Sequence, residues 1–444
     1  MSEKIVIGIT KLSFFASFVN AVTIITYEVI TMLVENSMNA SHEVQRTGYL
    51  QRLEGGKDRS DVVKVITGIR RCGKSTLMKQ YIQKLKETVD EDAIVYVNLE
   101  SREAESIETY KNLNDYLASK IDSAKRSYVF LDEIQRVSGW EKSINSLMVD
   151  YDADIYITGS NAYILSSELS TYLSGRYVEI NMLPLSFKEY LELHPPSGDH
   201  DRYARFKDYL WYGSMPMVDP DGDEEFTNDH LVGIYNTILN KDVQLRLGVH
   251  DPVMLDNVCR YVMSNIGNIT SSNSISENTD LSPVTVRNYL RALEEAYIIY
   301  KAYRYDIRGK KLLKTREKYY VSDTGMRNTV LGNSTGDDIS RQIENVVYLE
   351  LLRRGYAVNV GSYRDYEIDF TAKKRGTIEY FQVTQTLLPE DTYEREVRSL
   401  NMIDDNFSKT ILSLDPFTRS VGNGIKHINL LDWLLNPHTV GQPS

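Results

Sequence analysis

The chain has 444 residues, enough for two to four domains, and its 42% hydrophobic and 25% charged residues are typical of a globular protein. Its 51 basic and 62 acidic residues give a formal net charge of −11, which excludes whole-protein attraction to nucleic acid or anionic lipid. Any nucleic-acid surface must therefore be a local patch. The two cysteines, Cys72 and Cys259, are far apart and in no ligand spacing, which argues against a disulfide framework or a zinc site and fits a reducing cytoplasm.

The amino-terminal residues 5–34 are apolar but interrupted by charged and amide side chains. Their longest uncharged stretch, 12–27, is shorter than the roughly 20 apolar residues that cross a bilayer. A membrane helix and a signal peptide are the minor alternatives. The preferred interpretation is a packed or frayed helical extension, or translated upstream sequence before a start at Met32 or Met38. We expect residues 1–45 to be an extension, the protein to be cytoplasmic, and no membrane to be involved.

A phosphate-binding motif follows the first strongly β-branched segment. Residues 62–69 read VVKVITGI, a pattern that predicts a buried parallel strand. The overlapping run Gly68-Ile-Arg-Arg-Cys-Gly73-Lys74-Ser75 satisfies G-x-x-x-x-G-K-[ST], and a helical pattern opens at Thr76. In such a loop, backbone N–H groups and a helix N-terminus hold phosphate oxygens, the lysine neutralises the β and γ phosphates, and the hydroxyl after it holds Mg²⁺.

The sequence therefore predicts ATP and Mg²⁺ as ligands. The predicted nucleotide-binding residues are Gly68, Arg71, Cys72, Gly73, Lys74, Ser75 and Thr76.

Paired acids end a second predicted strand, residues 127–134, which read SYVFLDEI. Asp132 is expected to hold Mg²⁺ with Ser75, and Glu133 to orient and deprotonate the attacking water. A strand-end turn with two acidic residues is the plain alternative for this pair.

Three further strands are predicted at residues 93–100, 154–160 and 175–183, with helical patterns between the strands. This alternation predicts an α/β fold with a parallel sheet covered on both faces. The end of the strand 154–160 carries small polar side chains at Thr158, Ser160 and Asn161, which could reach the γ-phosphate or the attacking water, unless the segment is an ordinary turn. Arg176 enters the last strand and could stabilise charge on a neighbouring subunit's nucleotide, or form an ordinary salt bridge.

The ordered motifs VITGIRRCGKST, FLDEIQRVSGWE, IYITGSNAYILSSELSTYLSGR, LPLSFKEY and YLWYGSMPMV cover about residues 60–220. In this combination the chain resembles the AAA-type P-loop ATPases of bacteria and archaea that carry a carboxy-terminal domain of unknown function. The resemblance implies an AAA-like fold, Mg·ATP binding, a sensor at Ser160 or Asn161, and an arginine finger at Arg176. It implies little about biological role.

The remaining chain divides by pattern. We expect the ATPase core at residues 46–195 and a helical lid at 196–250. Residues 251–335 predict a winged helix, in which Ser282 caps a helix that begins at Pro283. A basic hairpin within residues 300–320, around Arg308-Gly-Lys-Lys311, resembles its wing and is a candidate DNA contact. Protein docking and an ordinary solvent-exposed face are the alternatives.

The last predicted domain, residues 336–436, precedes a short tail at 437–444. Glu344 on a helix and Asp369 on a strand resemble the metal-binding acids of PD-(D/E)xK nucleases. Gln382 and Thr384 stand where a second strand acid and the lysine are expected, so cleavage is doubtful and the domain is interpreted as degenerate.

These patterns together predict an ATPase that uses hydrolysis to change the conformation of an unidentified partner, with a homo-oligomer as one possible assembly. The alternative is a nucleotide-gated DNA-binding or nuclease-related protein that acts through its carboxy-terminal half.

Overall fold

The computed structural model describes residues 43–162, 173, 175–196, 198–244, 251–332 and 338–436. Residues 46–444 group as one compact unit, separate from residues 1–45. Most of the predicted extension and the whole of the predicted tail lie outside the described residues. In the described part of the chain, no helix combines the length and apolar character needed to cross a membrane.

The first sheet is a five-stranded parallel sheet, as the sequence predicts. Its spatial order is β2-β3-β4-β1-β5, and every neighbouring pair is parallel. Its strands are β1 (Val63–Thr67), β2 (Ile94–Asn98), β3 (Ser127–Asp132), β4 (Ala153–Thr158) and β5 (Tyr177–Asn181). Since β3, β4 and β1 are neighbours, the segments that leave their carboxyl ends meet at one edge of the sheet.

Helices cover both faces of this sheet. The helices of this part are α1 (Thr47–Glu54), α2 (Lys74–Leu85), α3 (Tyr110–Ala118), α4 (Trp140–Asp150) and α5 (Phe187–Leu193). Side chains alternate between the faces of each strand, so Val63 and Val65 pack with α3 and α4 while Ile66 packs with α1 and α2. The apolar β-branched strands thus bury both of their sides.

A helical region follows the first sheet. It contains α6 (Asp199–Tyr212), α7 (Glu224–Thr237), a π-helical segment (Ile238–Gln244), α8 (Pro252–Ser264), α9 (Ser272–Thr279) and α10 (Pro283–Glu295). As expected, Ser282 caps α10 by accepting a hydrogen bond from the Thr285 N–H, and Pro283 is its first residue. Leu231 of α7, Val258 of α8 and Leu290 of α10 share one apolar core with α2 and β1.

The second sheet is mixed and has eight described strands in the order β13-β12-β11-β10-β9-β7-β8-β6. They are β6 (Ile269–Thr270), β7 (Ile299–Asp306), β8 (Lys311–Val321), β9 (Ala357–Tyr363), β10 (Tyr366–Lys374), β11 (Thr377–Val383), β12 (Ser408–Ser413) and β13 (Ile425–Asn429). Its accompanying helices are α11 (Thr324–Leu331), α12 (Ile339–Arg353), α13 (Glu390–Asn401) and α14 (Leu430–Leu435).

The predicted hairpin exists, but it is joined to the last domain. Strand β7 pairs antiparallel with β8 and parallel with β9, with Arg304 opposite Val360. The boundary expected at residue 335 therefore separates strands that belong to one continuous sheet. Sequence patterns missed this because a parallel pair between distant strands leaves no local turn signal.

Candidate nucleotide site

The loop between β1 and α2 has the backbone shape that its glycines allow. Gly68 has φ +142°, Arg71 has φ +70°, and Gly73, which precedes α2, has φ +102°. A Cβ atom on Gly68 would lie 2.2 Å from the Met182 carbonyl oxygen, so only glycine fits there. The sequence Gly68 to Ser75 thus forms a tight strand-to-helix loop at the carboxyl end of β1.

Lys74 lies inside this loop, and its side chain is only 4% exposed. Its Nζ donates to the carbonyl oxygens of Gly68 at 3.0 Å and of Ile69 at 3.1 Å. Ser75 and Thr76 follow in the first turn of α2, where the helix dipole favours negative charge. The loop therefore gathers an ammonium, a helix N-terminus and two hydroxyl-bearing residues.

Arg46, which no sequence pattern singled out, holds the outer side of the loop. It is 3% exposed, and it donates to the Cys72 carbonyl at 3.3 Å and to the Leu183 carbonyl at 2.8 Å. It also forms an ion pair of 2.9 Å with Glu189. The Cys72 side chain is buried, and its Sγ lies 3.4 Å from the Met182 carbonyl oxygen.

The paired acids stand at the end of β3, beside the loop. Asp132 is fully buried and accepts hydrogen bonds from the Tyr96 hydroxyl at 3.3 Å and from the Thr158 hydroxyl. Glu133 has φ +57°, and its N–H donates to the Thr158 Oγ1 at 2.9 Å. Thr158, the last residue of β4, thus contacts both acids.

The two predicted sensor residues face different neighbours. Ser160 is 1% exposed, and its Oγ lies 3.5 Å from the Gln135 Nε2, which also donates to the Glu133 carboxylate. Asn161 donates from Nδ2 to the Asp242 carbonyl oxygen at 3.1 Å. One residue therefore belongs to the environment of Glu133, and the other contacts the π-helical segment.

Arg70, a loop residue to which the sequence motif assigned no role, joins the same edge of the sheet. Its Nε and Nη2 each lie 3.1 Å from an oxygen of Asp242, and its Nη1 lies 3.9 Å from Glu100. Burial alone would lower the pKa of Arg70, but the carboxylates of Asp242, Glu133 and Glu100 outweigh it and the pKa is raised. Its position in the motif was a usable signal, whereas Asp242 gave none.

Arg176 lies at the opposite end of the strands, where β1 and β5 begin. It precedes β5, whose first residue Tyr177 is paired with Val63 at the start of β1. Its side chain is exposed and donates to the Leu173 carbonyl and to the Asn145 Oδ1, each at 3.2 Å. Since the loop follows the other end of β1, Arg176 does not reach the loop of its own chain.

The carboxy-terminal acids form a separate cluster. Lys318 of β8, 4% exposed, lies 3.1 Å from Glu344 of α12 and 2.8 Å from Glu367 of β10. The Tyr320 hydroxyl donates to Glu344 at 2.6 Å. Burial, followed by the charge of Glu344, raises the pKa of Asp369 well above its usual range.

The other predicted positions of this cluster are occupied by polar, uncharged groups. Gln382 accepts from the Asp369 N–H at 2.7 Å and donates to Glu396 at 2.5 Å. Thr384 donates to the Thr386 carbonyl oxygen, 3.2 Å away. The expected lysine is thus absent from β11, but Lys318 brings an ammonium to the acids from the basic hairpin.

Strand β1, its loop and α2 belong to the same sheet as the paired acids at the end of β3, which β4 separates from β1, and this arrangement fits an AAA domain. A family model described as "AAA domain" matches residues 60–191, and one described as "Domain of unknown function (DUF8612)" matches residues 203–337.

An uncharacterized protein of Haemophilus influenzae is 40% identical over 404 residues, which are 88% of this chain and 98% of that protein. An uncharacterized protein of Methanocaldococcus jannaschii is 30% identical over 356 residues, which are 76% of this chain and 77% of that protein. This chain belongs to the same family as these two proteins.

Two solved structures are also similar. The Orc1 protein of Aeropyrum pernix in complex with DNA has 14% identity and a TM-score of 0.30, covering 67% of this chain and 94% of that chain. AMPPCP-bound DnaA of Aquifex aeolicus has 16% identity and a TM-score of 0.25, covering 57% and 90%. At such scores neither likeness indicates what this chain binds.

Proposed function

We propose that the chain binds Mg·ATP at the Gly68–Ser75 loop and hydrolyses it. The observation that carries this proposal is the meeting of that loop with the buried Asp132 and with Glu133 at one edge of a parallel sheet. Asp132 supplies carboxylate oxygens and Ser75 a hydroxyl oxygen, which are the ligand types that a hard dication and its water shell prefer. The residues present therefore fit both ATP and Mg²⁺.

Each residue has a definite part in the proposed reaction. The loop N–H groups and the ammonium of Lys74 bind phosphate oxygens, and the Ser75 hydroxyl with Asp132 holds Mg²⁺. Glu133 accepts the proton of the water that attacks the γ-phosphorus, and the bond to the β–γ bridging oxygen breaks. Ser160 positions the group that hydrogen-bonds Glu133, and Asn161 links the site to the π-helical segment.

Hydrolysis is proposed to drive a conformational change on an unidentified partner, with residues 196–250 acting as a lid. The shared packing supports this coupling, because α7, α8 and α10 enter the apolar core that also contains α2 and β1. A homo-oligomer is proposed as well, since Arg176 could meet only the loop of another copy. The cytoplasm is the proposed location.

Nucleotide titration of the full chain tests the proposal. Calorimetry with ATP and ADP, with and without Mg²⁺, should give binding to wild type and none to Lys74→Ala. The matched control is Lys84→Ala, since Lys84 is an exposed lysine on the same helix, paired with Glu54 at 3.3 Å. Equal ATP affinity in folded Lys74→Ala and wild type would refute the site.

DNA binding is a second candidate function, favoured by one surface. The order α8-β6-α9-α10-β7-β8 supports the proposal of a winged helix, and Arg287 and Arg291 are exposed on α10. The hairpin turn adds exposed basic side chains at Arg308, Lys310 and Lys311. A local basic surface of this kind can bind phosphates despite the acidic whole chain.

Fluorescence anisotropy with a labelled duplex tests this candidate. Binding that weakens steeply with salt and is lost in the double variant Lys310→Glu/Lys311→Glu would support it. The control is Lys373→Glu/Arg375→Glu on the exposed β10–β11 hairpin of the same sheet. Equal loss in both variants would indicate a general charge effect. Stimulation of ATP turnover by DNA would favour a nucleotide-gated DNA-binding protein over a switch that acts on a protein partner.

A further inference from the structure

Arg70 is the third residue of the phosphate-binding loop, and its guanidinium reaches the edge of the sheet where the paired acids stand. It is 16% exposed and contacts Asp242, which is 9% exposed, through two hydrogen bonds of 3.1 Å. A fork of this kind is also the geometry in which arginine binds phosphate oxygens. The loop thus carries a third cation besides Lys74 and the exposed Arg71.

The carboxylates around Arg70 come from three different elements. Asp242 belongs to the π-helical segment, Glu100 follows β2, and Glu133 follows β3. The last of these is the proposed base, so the guanidinium lies on the side of the loop where the γ-phosphate and the attacking water would be. Arg176, in contrast, lies at the amino ends of the strands, away from the loop.

We propose that Arg70 is a catalytic residue that exchanges Asp242 for the γ-phosphate of ATP, within one chain. This proposal rests on the proposed ATPase function. In the transfer, the water oxygen bonds to the γ-phosphorus, the bridging bond breaks with its electron pair going to ADP, and Glu133 takes the proton. Arg70 neutralises the charge on the equatorial oxygens of the transferred group.

The exchange also makes Asp242 a competitor of the phosphate. The Asp242 carboxylate holds Arg70 while its backbone carbonyl accepts from Asn161, so this residue connects both groups to residues 238–244. When Arg70 turns to the phosphate, Asp242 loses its partner and the segment is released. ADP lacks the γ-phosphate, so it leaves the Arg70–Asp242 pair in place.

Three variants separate this role from a structural one. Arg70→Ala should lower turnover by about 10³-fold or more, the usual effect of a transition-state arginine, while ADP affinity changes less than about threefold. Arg70→Lys should restore little, because an ammonium cannot reproduce the fork. Asp242→Asn should increase affinity for a non-hydrolysable ATP analogue, because it frees Arg70, and leave ADP affinity unchanged.

The matched control is Arg126→Ala. Arg126 makes a similar forked contact with Asp152, at 3.0 and 3.2 Å. This contact lies where β3 and β4 begin, at the end of the strands away from the loop. Arg126→Ala should keep wild-type turnover. All variants are compared with wild type by steady-state hydrolysis and by calorimetry on the full chain.

Different results would overturn different claims. Absence of ATP binding to wild type would refute the ATPase function and this proposal together. If wild type hydrolyses ATP and the turnover of Arg70→Ala is within tenfold of the wild-type value, this proposal alone is refuted. Equal loss of ATP and ADP affinity in Arg70→Ala would also refute it. Weaker binding of the ATP analogue to Asp242→Asn would do the same, since either result would mean that the contact between Arg70 and Asp242 is only structural.

Discussion

The ammonium of Lys318 lies 3.1 Å from the carboxylate of Glu344, and this contact joins the basic hairpin to the acidic cluster of the last domain. The two residues are on β8 and α12, elements that the sequence patterns assign to different domains. Burial would lower the pKa of Lys318, but Glu344, Asp369 and Glu367 outweigh it and the pKa is raised. The lysine is thus a permanent charge partner of this cluster at neutral pH.

The first prediction concerns the proposed base. Glu133→Gln should retain ATP binding but lose about 10² to 10⁴-fold in turnover, because an amide can hydrogen-bond water but cannot accept its proton. Single-turnover hydrolysis and calorimetry measure the two effects separately. Asp150→Asn, an exposed acid at the end of α4, is the control. If turnover survives in Glu133→Gln, the residue is structural and another base must be sought.

The second prediction concerns Arg176. Because its side chain is exposed and distant from its own loop, Arg176→Ala should leave folding and ATP affinity unchanged and reduce turnover only through a neighbouring subunit. Mixing Arg176→Ala with Lys74→Ala should then restore part of the activity, since mixed oligomers contain complete sites. An active enzyme that is monomeric by light scattering would contradict this role.

The third prediction is a stability test of the contact between α6 and α11. A Cβ atom on Gly325 would lie 1.9 Å from the Tyr212 carbonyl oxygen. Nearby, Asp323 accepts a hydrogen bond from the Ser214 N–H at 2.6 Å, so the two segments are held close together. Gly325→Ala should therefore lower the free energy of unfolding by about 1–3 kcal/mol or more, measured by urea denaturation.

Its control is Gly233→Ala on α7, where a Cβ meets nothing within 4 Å. Alanine there should be stabilising by up to about 1 kcal/mol through helix propensity. Equal stability of the two variants would show that the tight approach at Gly325 relaxes without cost.

Sequence alone predicted the first sheet well because its signals are local. A β-branched strand, a glycine loop and a helix follow one another directly around Gly68, and the capping residue Ser282 with Pro283 marks the start of α10 by an equally local signal. The position of Asp132 and Glu133 at a strand end was also predicted from the sequence, because a parallel sheet brings the carboxyl ends of its strands together.

The partners of these residues could not be predicted because they are distant in the chain. Asp242 lies 172 positions from Arg70, and nothing in its neighbourhood distinguishes it from other acids of the helical region. Lys318 is one of several basic residues of a hairpin in the sequence, and direct packing of α12 on β8 places it beside Glu344. Such contacts depend on sheet order, which sequence periodicity does not encode.

The last prediction is that the carboxy-terminal domain does not cleave DNA with Mg²⁺. The lysine absent from β11 is replaced in space by Lys318, but its ammonium is already neutralised by Glu344 and Glu367. Gln382 supplies an amide where a carboxylate is expected. Its Oε1 accepts from the Asp369 N–H and its Nε2 donates to Glu396. A dication would therefore find fewer free charges than such sites offer.

The burial of Asp369 acts in the same direction. Burial, followed by the charge of Glu344, raises the pKa of Asp369 well above its usual range, so the carboxylate form that binds a metal requires a higher pH than in an ordinary aspartate. Incubation of the full chain with linear, circular and single-stranded DNA, with Mg²⁺ or Mn²⁺, should leave every substrate intact. Cleavage that disappears in both Asp369→Ala and Lys318→Met would overturn the prediction and make Lys318 the working lysine of a nuclease. Cleavage that persists in both variants would instead point to a contaminating enzyme.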